Sequence, residues 1–183
     1  TAQKTAGPAD AHAENVNQLG GATTRVSIAS DGAQGNGKSD LPASSADGRY
    51  VVFSSEAGNL VSNDSNNVYD VFVHGRQTRQ TTRVSVSSSG GQANGPSFGA
   101  SISADGRYVA FKSYASDLVS GDTNNAGDVF VHDQQTGQTT RVSIASNGAQ
   151  GNELSIKPVI SADGRYVEFE SWASNLVTGD PNA

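Results

Sequence analysis

Two polar loops hold the residue types best suited to chemistry. The stretch "DSNNVYD" sets Asp64, Asn66 and Asp70 at i, i+2 and i+6, and "DTNNAGD" sets Asp122, Asn124 and Asp128 at the same spacing. Carboxylate and amide oxygens crowded into one short loop are what a hard cation selects, so calcium is the cofactor to which these six residues point. The same residues also describe an Asx-stabilised loop that enters a strand without any metal. Neither loop carries the full EF-hand ligand set, and Tyr69 stands where Gly127 offers the sharp-turn residue in the second loop. A third copy keeps Asp180 and Asn182.

The other candidates for chemistry are less convergent. His74 and His132 occupy the same place in successive copies of one repeat, and a residue that recurs this way is explained by the repeated unit, whereas catalytic groups must meet in one pocket. His12 lies outside the repeats, and no third group completes a recognisable triad with any of the histidines. Asp47, Asp105 and Asp163 each precede a glycine and read as turn formers whose carboxylates accept from nearby backbone N–H groups. One Asp per unit supplies no acid/base pair. Glu56, Tyr114 and Trp172 share one repeat position; an aromatic there could stack on a sugar or a partner, but packing is the expected role, since large aromatics mostly supply buried area. "SDGAQGN", "SSGGQAN" and "SNGAQGN" read as Gly/Asn turns between strands, and no helix follows them as one follows a phosphate loop.

What positions these residues is a 58-residue repeat. "TTRVS" begins at Thr23, Thr81 and Thr139, and "SADGRYV" begins at Ser45, Ser103 and Ser161. A period of this kind takes precedence over local propensity. Each unit reads as four short strands: one around Ala43 to Ser45, an Asp-Gly turn, "RYVVFSS", a polar loop, "DVFVH", a Gln/Thr/Gly turn, and "TTRVSIAS". In the second strand Val51 and Phe53 share a face, as do Val109 and Phe111, and Val167 and Phe169, and that face is core. The opposite face changes from Tyr50, Val52 and Ser54 to Tyr108, Ala110 and Lys112, then to Tyr166, Glu168 and Glu170, so its environment should differ between units.

Small four-stranded sheets in tandem must stack to bury both faces, and radial stacking of such sheets is a β-propeller. "SADGRYVAF" followed by "DVFVHDQQTGQTTRVS" closely resembles the blade of the TolB-like propellers, WD-type repeats of bacterial envelope and secreted proteins. The turn is also similar to the Asp-box of sialidase-type propellers, although Asp and Gly are adjacent here and no Trp follows. The TolB-like resemblance covers Thr23 to Ala183 and leaves residues 1–22 unmatched as an amino-terminal leader, a possible donor segment. It implies an all-β fold of four-stranded antiparallel blades, about three to this chain, with repeats at 23–80, 81–138 and an incomplete 139–183. It also implies binding more often than catalysis, and a complete ring in that family needs about twice this much chain.

"TTRVSIAS" at Thr23 opens the repeats as a fourth strand, and the third unit stops after its second strand, so head and tail are complementary fragments of one blade. Three blades are too few to close a ring, since four to eight is usual, and the expectation is completion in trans by another copy, as a closed ring or an open array. The missing third strand would have to come from the leader near Asp10 to Gln18. A fragment of a longer propeller, or a stack capped by Glu168 and Glu170, are the alternatives.

Composition narrows the rest. The 183 residues carry a net charge of −6, are 34% hydrophobic and contain no cysteine, which excludes disulfides and thiolate chemistry. Scattered basic residues leave no footprint for nucleic acid, and no apolar run approaches the ~20 residues of a helical membrane span. Thr1 in place of an initiator methionine, with a Ser/Thr/Asn-rich, lysine-poor chain, suits a processed protein that is secreted or in the cell envelope. The expectation is a non-catalytic binding or structural scaffold that self-associates, with another protein or a glycan as possible partners; the alternative is a propeller-type, glycosidase-like enzyme with its site on the central axis.

Overall fold

The computed structural model describes residues 15–16, 21 and 23–179. Strands β1 (Asn15–Val16) and β2 (Thr24–Arg25) form an antiparallel pair, with Asn15 opposite Arg25 and Val16 opposite Thr24. Two four-stranded antiparallel sheets follow. The first is β3 (Ser39–Ser44), β4 (Tyr50–Ser55), β5 (Asp70–Gly75) and β6 (Thr81–Arg83), in that order across the sheet. The second repeats it with β7 (Ser97–Ile102), β8 (Tyr108–Ser113), β9 (Asp128–Asp133) and β10 (Gln138–Arg141). A third sheet has β11 (Ser155–Ile160) and β12 (Val167–Ser171). Among the described residues no helix is long and apolar enough to cross a membrane.

The first and second strands of each unit are joined by the expected Asp-Gly turn. Gly48 takes a φ of 66°, its N–H donates to Ser45 O at 2.9 Å, and the Asp47 carboxylate accepts from Ser45 Oγ at 2.7 Å and from Arg49 N at 2.9 Å. Asp105 and Asp163 repeat these contacts. The Arg49 backbone N–H is the main reason the Asp47 carboxyl drops to about 2.

Two strands differ in extent from the sequence reading. The first strand starts four residues earlier than Ala43, because a bulge between Asp40 and Ala43, with Leu41 at φ 52°, lets it continue past an irregular step. The fourth strand is much shorter than "TTRVSIAS". Its ladder ends at Arg25, Arg83 or Arg141, after which the chain folds back on itself: Ala29 N donates to Ala33 O at 2.7 Å and Ile28 bridges Gln34. The Gly/Asn turn thus satisfies the backbone of its own flanks locally, in place of the third strand. In the leader, Asn15 and Val16 pair with β2 in the place that a third strand takes beside a fourth; Asp10 to Glu14, Asn17 and Gln18 lie outside the described residues.

The sheets stack face to face in series, β7 against β3 and β4, and β11 against β7 and β8, which is the blade packing of a β-propeller. One backbone bond crosses between neighbouring hairpins at each step, Ala46 N to Ala104 O at 3.0 Å and Ala104 N to Ala162 O at 2.9 Å. The Tyr50 ring lies on Gly106, and Tyr108 lies on Gly164, so closely that a Cβ on either glycine would overlap the ring. Stacking buries both faces of the second strand in the first two units: Val51, Val52 and Phe53 are all buried, as are Val109, Ala110 and Phe111. Val52, Val71 and Val73 meet Val109 and Phe111 in one core, while Phe53 and Phe72 stack at 5.9 Å in another with Ala57 and Leu60. No described sheet covers the third unit's outer face, so Tyr166, Glu168 and Glu170 are exposed there. Trp172 is 60% exposed and not packed as expected, because it sits beyond the last covered sheet; Tyr114, at the same repeat position, is 44% exposed beside Phe98 and Lys112.

Candidate functional site

The polar loop between β4 and β5 ends at Asp70, the first residue of β5, whose side chain is fully buried. β6 ends at Arg83, and the residues after it bring Ser85 and Gln92 to the same place. Gln92 Nε2 donates to Asp64 Oδ1 at 2.9 Å and to Asp70 Oδ2 at 3.0 Å, and its Oε1 accepts from Ser65 N and Oγ, which fixes the amide's orientation. Ser85 Oγ donates to Asp70 Oδ1 at 2.5 Å. Asn66 Nδ2 donates to Asp70 Oδ2 and to Ala93 O, while its Oδ1 accepts from Val68 N in an Asx turn. Arg83 Nη1 stands 3.6 Å from both carboxylates, with its side chain 9% exposed.

The second unit repeats the arrangement residue for residue. Gln150 Nε2 donates to Asp122 and Asp128, Ser143 Oγ to Asp128, Asn124 Nδ2 to Asp128, and Arg141 Nη1 lies 3.5 Å from Asp122 and 3.6 Å from Asp128. The structure therefore brings all six sequence-derived residues into two clusters, each joined by an Arg, a Gln and a Ser that the sequence reading did not assign to them. The signal was present, since Arg83, Ser85 and Gln92 recur at the same 58-residue step as the Asp residues; what was missing was a reason to link positions 13 to 28 apart.

Electrostatically, each cluster holds two carboxylates about one guanidinium. Burial pushes the Asp70 carboxyl up, against the hydrogen bonds from Ser85 and Gln92, and burial pushes Asp122 up in the same way. A calcium ion among these oxygens would need Arg83 to leave and the Gln92 and Asn66 amides to turn their oxygens inward. As arranged, the residues do not form that cage, and among the described residues no group of three or more His, Asp or Glu side chains is set to hold a metal. The clusters knot the polar loop, the end of the fourth strand and the following turn into one unit. Asp180 and Asn182 lie outside the described residues.

The histidines face the same kind of local partner. His74 Nδ1 is 2.8 Å from Thr81 Oγ1 and His132 Nδ1 is 2.9 Å from Thr139 Oγ1, and each threonine also donates to the carbonyl of Ile28 or Val86 in the turn beside it. Burial lowers both imidazoles below their ordinary value.

No protein-family profile and no curated protein matches the chain. Among solved structures it aligns with a putative TolB from Agrobacterium tumefaciens, at 19% identity over 82% of this chain and 47% of that one, with a TM-score of 0.46. TolB from Acinetobacter baumannii aligns at 17% identity over 87% of this chain and 32% of that one, with a TM-score of 0.42. The β-propeller domain of the Trilobed protease from Pyrococcus furiosus aligns at 13% identity over 73% and 34%, with a TM-score of 0.44. The chain spans less than half the length of each.

Proposed function

We propose that the chain is a non-catalytic repeat module of the secreted or cell-envelope type that serves as a binding or structural scaffold and self-associates through its two open blade faces. The observation that carries this is a pair of matching positions that do not make, among the described residues, the contact their counterparts make. Tyr50 and Tyr108 each seat on a glycine of the next hairpin, whereas Tyr166 is 66% exposed and Gly48 has room for a Cβ, which would meet only Arg76 Nη1 at 3.6 Å. Seating Tyr166 of one copy on Gly48 of another would repeat an interface the chain already makes twice.

Charge supports the same pairing. Lys112 Cε and Leu154 Cδ1 lie 2.9 Å and 2.8 Å from where a Gly127 Cβ would be, so these two repeat positions adjoin across a blade interface. Their counterparts are Glu170 on the third unit and Lys38 on a second copy, an opposite-charge pair. Glu168 stands where the buried Ala110 does, and it is the residue that keeps such an association weak. The non-catalytic reading draws on histidines tied to threonines and on carboxylates tied to arginine in both complete units.

Sedimentation velocity tests the reading. The full chain should associate reversibly at high micromolar concentration. Tyr166→Ser and Lys38→Glu should each weaken association, Glu168→Ala should strengthen it, and Glu170→Lys should restore what Lys38→Glu loses. A monomer throughout, or Tyr166→Ser without effect, would refute self-association through these faces.

A further inference from the structure

One cavity, of about 410 Å³, is lined by three arginines, Arg25, Arg76 and Arg79, beside His74 and Ser30. The chain as a whole is acidic at −6, so three of its twelve Lys and Arg residues on one cavity are a marked local excess. Among the described residues none of the three makes an ion pair. Arg25 Nη1 donates to Gln34 Oε1 at 2.7 Å and Arg76 Nη1 donates to Gly48 O at 3.0 Å, which among the described residues leaves most of their five N–H donors each unspent. Asp31, the one carboxylate among the described residues that line the cavity, accepts from Ala33 N in its own loop at 2.9 Å.

The repeat shows that this concentration of charge is particular to the first unit. Arg25 and Gln34 are the counterparts of Arg83 with Gln92 and of Arg141 with Gln150, but the two aspartates that neutralise those arginines are replaced at the corresponding sequence positions by Ala6 and His12. Arg76 and Arg79 stand where the second unit has Gln134 and Gly137. Arg79 also takes a φ of 58°, the left-handed conformation that Gly137 adopts at 73° without a Cβ. Arg79 therefore carries a left-handed conformation that glycine would adopt with less strain.

We infer that this cavity binds an oxyanion, a phosphate, sulfate or carboxylate group, held by the guanidinium groups of Arg25, Arg76 and Arg79. Planar guanidinium forks match such oxygens, and their charge-assisted bonds are the strong class of hydrogen bond. His74, tied to Thr81 through Nδ1, shapes one wall. The cavity lies against β2 and the β5–β6 turn, and because Arg76 also reaches Gly48 O, the test is run where the chain is monomeric.

The test uses the full chain at concentrations where it is monomeric, titrated with inorganic phosphate, sulfate or acetate and followed by amide NMR, with sodium chloride at matched ionic strength as the control for screening. Saturable shifts around Ser30 to Gly32 and His74 to Arg79 are expected, and the tightest of the three anions identifies the group. Arg76→Gln with Arg79→Gly copies the second unit's own residues into the first. That variant should fold, melt no lower than the parent and bind at least ~10-fold more weakly, the loss of one charge-assisted bond. No saturable shift, equal shifts with chloride, or unchanged binding in the double variant would each overturn the inference. Asp10→Asn with Glu14→Gln covers the remaining occupant: binding that appears only in this variant would assign the cavity to the leader's carboxylates and overturn the proposal.

Discussion

The contact between Tyr50 and Gly106 can be weighed against a control that the repeat itself provides. Gly48 and Gly106 occupy the same turn position, with φ of 66° and 80°, but only Gly106 has a ring upon it. Replacing either with Ala costs the penalty for a Cβ in the left-handed region, ~1–2 kcal/mol. At Gly106 the new methyl must also displace the Tyr50 ring. A tyrosine buries ~150–250 Å² when fully enclosed, worth ~4–6 kcal/mol at 25 cal/mol per Å². Tyr50 is half-buried, so about 2 kcal/mol of that is at stake. Gly106→Ala should therefore cost ~3–4 kcal/mol and Gly48→Ala ~1–2, which at 2–4 °C per kcal/mol separates their melting temperatures by roughly 4–8 °C. Urea unfolding at low micromolar concentration measures both, and in a Tyr50→Ala background Gly106→Ala should fall back to the Gly48→Ala cost. Equal costs for the two glycines in the parent chain would refute the reasoning, since the ring would then contribute nothing across the blade gap.

Four further outcomes are expected. Arg83→Met should lose about 3–5 kcal/mol, because it strands two buried carboxylates, and Asp64→Asn with Asp70→Asn in the same chain should recover part of it; urea unfolding without that recovery would mean the guanidinium is not neutralising them. Burial holds His74 and His132 below the ordinary value of ~6.5, so the unfolded chain takes up their protons first, and stability should fall as pH drops from ~6.5 towards the depressed folded values. His74→Gln with His132→Gln should flatten that slope in melting curves taken across the window. Asp70 and Asp122 have the opposite sign: their folded pKa values are raised, so they add stability as pH falls through the carboxylate range, and Asp70→Asn with Asp122→Asn should remove that gain. Calcium at the Asp64 and Asp122 loops is decided by melting in about 2 mM calcium against chelator; with guanidinium groups in place no shift is expected, and a rise of a few degrees would mean that the loops open to admit the ion.

The sequence made legible whatever depends on neighbours along the chain. Asp47-Gly48 and its two copies form the turns they spell, since an Asx carboxylate and a positive-φ glycine act within four residues. The alternation of Val51 and Phe53 located one buried face, and the change from Val52 to Ala110 to Glu168 correctly marked the other face as different in the third unit. Less legible was whatever depends on which segments meet. Nothing beside Arg83 along the chain points to Asp64 and Gln92, both distant in sequence, which the fold brings around it. "TTRVSIAS" has strand propensity throughout, but its second half pairs across its own turn. Trp172 has the composition of a core residue and the location of an edge.

The serial stacking also has a kinetic consequence. Neighbouring sheets are joined by a hairpin bond, a second backbone bond (Ser97 N to Tyr69 O, Ser155 N to Gly127 O), a Tyr–Gly contact and apolar packing, so cooperativity is transmitted from neighbour to neighbour in place of a single central core. The unit from Ser97 to Arg141 is flanked on both sides and therefore receives this coupling twice. Folding should nucleate there and spread outward, and local opening should begin at β12, where amide exchange would outpace that of β8 although the two strands carry nearly the same sequence.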